Sequence, residues 1–109
     1  MSAITTHVLD LALGRPAAGV SVRLEQQESG AWTAVASGVT DSDGRCGSLK
    51  QDAAEGIYRL TFNTGDYLRR QGRMSIYPEV STIFICSGEG NYHLPLLLSD
   101  QGYTTYRGS

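Results

Sequence analysis

Apolar residues in this chain recur at every second position, and the only stretch with a helical look is about two turns long. Val20, Val22 and Leu24 alternate with Ser21, Arg23 and Glu25. Successive side chains of a strand point to opposite faces, so this pattern buries one face and wets the other. Positions 57–62 (Ile-Tyr-Arg-Leu-Thr-Phe) alternate again, and 81–86 is short, β-branched and apolar, as a buried strand requires. Turn residues stand between these runs. Gly30-Ala31 precedes a strand at 32–36, Asp43-Gly44 reads as a hairpin turn, and Gly88 and Gly90 lead into a strand at 92–98. A last strand is expected at 103–106. The one expected helix covers 66–71, with Gly72 as its stop and Thr64 as a candidate cap. About seven or eight short strands at this spacing predict an all-β fold, a two-sheet antiparallel β-sandwich with one short helix.

The chain has 109 residues, enough for one domain spanning 1–109 with a core that needs neither disulfide nor metal. No internal repeat, low-complexity tract or linker interrupts it. The net charge of −2 and a single lysine give no footprint for nucleic acid. Arg69, Arg70 and Arg73 form the one basic cluster and read as a solvated face. No stretch approaches the ~20 apolar residues of a membrane helix, and no signal-like start is present. The expectation is a cytoplasmic protein with no membrane partner. A reducing compartment would keep Cys46 and Cys86 as thiols.

The strand at 92–99 has two apolar faces. Tyr92, Leu94, Leu96 and Leu98 form one, read as core; His93, Pro95, Leu97 and Ser99 form the other. Proline cannot donate to a ladder, so Pro95 predicts an edge strand or a bulge. An edge strand with a second apolar face predicts burial against another subunit.

Few residues can carry chemistry. The only histidines are His7 and His93, each in an expected strand. Either could be a structural imidazole; a pair meeting in one pocket could serve as base and acid near neutrality. Arg45, just after the Asp43-Gly44 turn, is either a surface cation or a planar fork for an anionic ring or a developing oxyanion. Asp41-Ser42-Asp43-Gly44 opens like a calcium loop, but Cys46 stands where the loop needs glycine. His7, Cys46, Cys86 and His93 lack the close ligand pair of a zinc site.

Beyond these readings, Thr6-His7-Val8-Leu9-Asp10 with Gly14-Arg15-Pro16-Ala17 resembles the opening of transthyretin-like proteins. The resemblance continues through Thr40-Asp41, Asp43-Gly44-Arg45-Cys46, Gly56-Ile57-Tyr58, Gly65-Asp66-Tyr67 and Tyr77-Pro78-Glu79-Val80. Tyr92-His93-Leu94-Pro95-Leu96-Leu97-Leu98-Ser99 and the closing Tyr106-Arg107-Gly108-Ser109 complete it. The last tetrapeptide is the most specific element and resembles the hydrolase branch of that family. Asn91 stands where many relatives have histidine, and Thr5 replaces a common serine.

The resemblance implies hydrolytic opening of the ring amide of 5-hydroxyisourate in urate degradation, giving 2-oxo-4-hydroxy-4-carboxy-5-ureidoimidazoline, with no metal or organic cofactor. It implies catalytic roles for His7, Arg45, His93 and Ser109. It implies substrate contacts from His7, Arg45, Tyr106, Arg107 and Gly108, and a homotetramer built as a dimer of dimers with sites in a channel between dimers. The same scaffold also carries ligands, so a small-ligand carrier without catalysis is the other function the resemblance allows.

Overall fold

The computed structural model describes residues 1–47 and 49–109. Its strands are β1 (Ser2–Asp10), β2 (Arg15–Pro16), β3 (Ser21–Glu28), β4 (Ala31–Val39), β5 (Lys50–Ala53), β6 (Gly56–Phe62), β7 (Val80–Cys86), β8 (Asn91–Ser99) and β9 (Gly102–Thr105). One helix, α1 (Thr64–Arg69), lies between β6 and β7. One sheet runs β4-β3-β6-β7, and the other runs β2-β1-β8-β9 with β5 also on β1.

The alternation read from the sequence sets the layers. Val22 and Leu24 of β3, with Tyr58, Leu60 and Phe62 of β6, are buried against Ile4 and Val8 of β1 and Leu94, Leu96 and Leu98 of β8. Each such side chain contributes roughly 1.5–3 kcal/mol by leaving water. No helix of the described residues is long and apolar enough to cross a membrane. Cys46 and Cys86 are both buried free thiols.

Several expectations need adjustment. Most strand pairs are antiparallel, but β1 and β8 run parallel, with Thr5 beside His93 and His7 beside Pro95. The strand β8 is therefore interior, between β1 and β9, and not an edge. Pro95 is tolerated there because β9 pairing reaches only to Leu96. Just beyond it, Thr105 Oγ1 donates to the Pro95 carbonyl at 2.9 Å. Pro95 is also buried within the single chain, whereas Leu97 on the same face is half-buried.

Asp43-Gly44 does turn the chain, yet it joins no hairpin. It follows β4 of one sheet and leads into Arg45, which bridges His7 of the other. The helix begins two residues earlier than expected. Asn63 is its cap residue and makes no side-chain cap bond, and Thr64 lies inside the first turn with its hydroxyl buried and unpartnered.

One polar cluster ties the far end of β1 to the rest. The Asp10 side chain is fully enclosed. It accepts hydrogen bonds from Tyr67 Oη at 2.7 Å, from Arg73 Nη1 at 2.6 Å and from the Leu13 amide at 3.1 Å. Arg73 Nη2 also donates to Asp100 Oδ1 at 2.6 Å. Burial pushes the Asp10 carboxyl upward, but the bonds from Arg73, Tyr67 and Leu13 and the Arg73 charge outweigh it and hold it below the ordinary carboxylate value.

Candidate functional site

The outward face of β1 carries Ala3, Thr5, His7 and Leu9; that of β8 carries Asn91, His93, Pro95, Leu97 and Ser99. Two further segments flank this pair. Arg45 makes an isolated antiparallel bridge to His7, and Gly108 makes one to His93. Four stretches far apart in sequence thus lie side by side, in the order Arg45, His7, His93, Gly108. Ala3, Thr5, Arg45, Asn91, His93 and Ser109 wall an open concavity of about 420 Å³ on this face.

Local chemistry fixes each flank. Asp41 Oδ1 accepts from the amides of Asp43 (2.9 Å) and Arg45 (3.0 Å), and the Asp41 amide donates to the Arg45 carbonyl at 2.8 Å. Gly44 has φ of 77°, and a Cβ there would collide with the Val8 carbonyl oxygen. Only glycine lets the loop close this tightly on β1. On the other flank, the Gly108 amide donates to the His93 carbonyl at 2.7 Å. A Cβ on Gly108 would lie 2.9 Å from His93 Cδ2, so glycine is what lets the tail lie against the imidazole edge.

The imidazoles are held differently. His7 Nε2 is 2.8 Å from the Asp43 carbonyl oxygen. A carbonyl only accepts, so this nitrogen carries the proton and, in the neutral ring, Nδ1 is the basic atom. His93 Nδ1 is 2.8 Å from Thr5 Oγ1. Burial, then the Arg45 and His7 charges, push the His93 pKa below its ordinary value, which favours the neutral ring. The Arg45 side chain is exposed and forms no ion pair with any carboxylate among the described residues. Its planar donor fork, without a partner among the described residues, suits an anionic or carbonyl ligand.

The sequence-predicted residues do not all converge. Arg45, His93 and Ser109 line the concavity; His7 adjoins it through the Arg45 bridge, and Gly108 through the His93 bridge. Arg107 turns elsewhere in this chain: its guanidinium sits 4.1 Å over the Tyr92 ring, and Nη2 donates to the Asn91 carbonyl at 3.0 Å. Tyr106 is exposed and is not among the concavity's walls. Thr5, Ala3 and Asn91 are walls to which no role was assigned from sequence. The usable signal for Thr5 was its place two residues before His7, hence on the same strand face.

A family model described as the HIUase/Transthyretin family matches residues 4–108. The chain is similar to the 5-hydroxyisourate hydrolase of Salmonella dublin, with 44% identity over 109 residues covering 97% of this chain and 80% of that protein. Among solved structures it is similar to Klebsiella pneumoniae 5-hydroxyisourate hydrolase, with a TM-score of 0.91, 37% identity and 100% of both chains covered. It is also similar to transthyretin from Sparus aurata, with a TM-score of 0.93, 34% identity, and 96% and 95% of the two chains covered.

Proposed function

This chain belongs to the HIUase/transthyretin family, and from that premise we propose that it is the hydrolase of the two kinds of protein the fold serves, opening the ring amide of 5-hydroxyisourate. The relatives named as that hydrolase span nearly the whole chain. The backbone alone does not discriminate, since a transthyretin superposes equally well. The observation that carries the reading is the polar make-up of the concavity: a guanidinium with no ion pair among the described residues, an imidazole and a hydroxyl-bearing tail residue around one opening. A carrier channel for an apolar ligand has no use for such a set.

The chemistry follows from the groups present. A neutral imidazole accepts a proton from water as the oxygen attacks the ring carbonyl. Arg45 faces the negative charge that develops on the carbonyl oxygen; loss of one good oxyanion donor typically costs about 3–4 kcal/mol. The ring C–N bond then breaks, the nitrogen leaves with the proton that the imidazole took from water, and the carbonyl carbon ends as a carboxylate. Ser109 positions the substrate or a histidine, because among the described residues no base stands in contact with its hydroxyl to make it a nucleophile. Gly108 admits the tail to the His93 ring. Tyr106 and Arg107 are read as substrate contacts in the assembled protein, Tyr106 being exposed and free to meet another surface.

The assembly is read as a homotetramer, a dimer of dimers. Half-buried Leu9 and Leu97, outward on neighbouring strands, support a partner surface beside the concavity. A cytoplasmic location accords with two buried free thiols.

The test generates 5-hydroxyisourate with urate oxidase and follows its absorbance with and without the protein. Loss should be faster with protein, and chelator should leave the rate unchanged. Decay at the spontaneous rate, with folded protein at micromolar concentration, would overturn the hydrolase and favour the carrier.

A further inference from the structure

The Thr5 hydroxyl has one polar partner among the described residues, and that partner is the Nδ1 of His93 at 2.8 Å. The contact follows from the parallel register. Thr5 and His93 are directly paired on adjacent strands, and both side chains point out of the sheet into the concavity. The opposite edge of the ring is closed by Gly108, where even a methyl group would lie 2.9 Å from Cδ2. The imidazole is therefore held between a hydroxyl on one side and a bare backbone on the other. Its second nitrogen, Nε2, makes no hydrogen bond with the described residues.

We propose that Thr5 is a positioning residue that sets the tautomer of His93, donating its hydroxyl proton to Nδ1 so that the ring presents Nε2–H to the substrate. The hydroxyl finds no other acceptor among the described residues, so donation to Nδ1 satisfies both groups at once. The neutral ring then carries its only proton on Nε2. His7 is fixed in the same tautomer by an acceptor instead of a donor, since its Nε2–H is spent on the Asp43 carbonyl and Nδ1 has no partner among the described residues. The two imidazoles consequently offer unlike atoms: His93 a hydrogen-bond donor at Nε2, His7 a proton acceptor at Nδ1. This division rests on the hydrolase reading, but the tautomer itself does not.

The experiment records nitrogen-15 spectra of histidine-labelled protein, which distinguish the two ring tautomers, for the wild type, Thr5→Val and Thr5→Ser. Steady-state kcat and KM are measured alongside. The wild type and Thr5→Ser should both show His93 protonated on Nε2. Thr5→Val should mix the tautomers and lower kcat about ten-fold, the worth of one neutral hydrogen bond, with KM within about two-fold. A wild-type His93 protonated on Nδ1 would overturn the proposal whatever the variants do. So would a Thr5→Val protein with tautomer and kcat both unchanged. Should the wild type be inert toward 5-hydroxyisourate, the hydrolase reading fails, and the wild-type spectrum alone still decides the role of Thr5.

Discussion

Half-buried His93 faces the Arg45 cation and the His7 imidazole, and that surrounding decides its charge. Burial comes first in disfavouring the imidazolium; Arg45 and His7 add to it. The sign is definite. A histidine whose folded pKa is depressed contributes stability that is present above its unfolded value of 6.5 and is lost as pH falls through the lower folded value. Titration by nuclear magnetic resonance should place the His93 midpoint below 6.5, and Arg45→Gln should raise it; a midpoint above 6.5 in the wild type would contradict the assignment. At the same scale, His7→Ala, His93→Ala and Arg45→Ala should each lower kcat/KM at least ~10²-fold, as loss of a general base or oxyanion donor does. Their melting temperatures should stay near the wild type, because none of the three lies in the hydrophobic core. Three active variants would show that the site had been placed wrongly.

Among the elements, β1 carries two unlike duties on its two faces: Thr5 and His7 outward to the concavity, Asp10 inward to the cluster with Tyr67 and Arg73. Removing one partner of an enclosed ion pair leaves a buried charge uncompensated, at a cost of about 3–5 kcal/mol. Arg73→Leu should therefore lower the chemical-denaturation free energy by about that amount, whereas Arg70→Leu, which breaks the exposed Arg70–Asp66 pair and the Arg70 bond to the Gly19 carbonyl, should change it by no more than ~1.5 kcal/mol. Equal effects would mean that enclosure does not decide the cost. Legibility in the sequence followed the same logic of faces. The core residues of β3 and β6 were readable because apolar and polar residues alternate there, and those of β8 because Tyr92, Leu94, Leu96 and Leu98 fall at every second position. Two-residue β2 and polar β5 (Lys-Gln-Asp-Ala) carry no alternation and went unseen. The interior place of β8 was also hidden: Pro95 argues for an edge, and only the end of β9 at Thr105 shows why it is tolerated. Asp43-Gly44 announced a turn correctly, but a turn dipeptide says nothing about which sheet the chain enters next. His7, Arg45 and His93 were legible as types and through resemblance. That Arg107 stacks on Tyr92 was not, because a guanidinium reads alike in sequence whether it meets a ring, a carbonyl or a ligand.

For the whole molecule, the outward Leu97 and Leu9 predict a contact between subunits, and the family resemblance supplies the expected number of four. Light scattering should report about four chains per particle. Leu97→Asp should reduce that number, because an unpaired carboxylate is costly at an apolar contact; an active monomer would contradict a site shared between subunits. Deleting residues 106–109 removes Ser109 from the concavity, the Gly108 bridge and the Arg107 clamp on Tyr92. Activity should vanish while the sandwich survives with a modestly lower melting temperature. The parallel pairing of β1 with β8 has a consequence in time as well as in space. Thr5 and His93 touch across 88 positions of sequence. Contacts this distant are paid for in loop-closure entropy before they give anything back, so they form late. No partial fold that lacks the join of first strand to eighth contains the concavity. In refolding from denaturant, turnover should reappear only with the slowest structural phase, making catalysis a clock for the closure of the sheet.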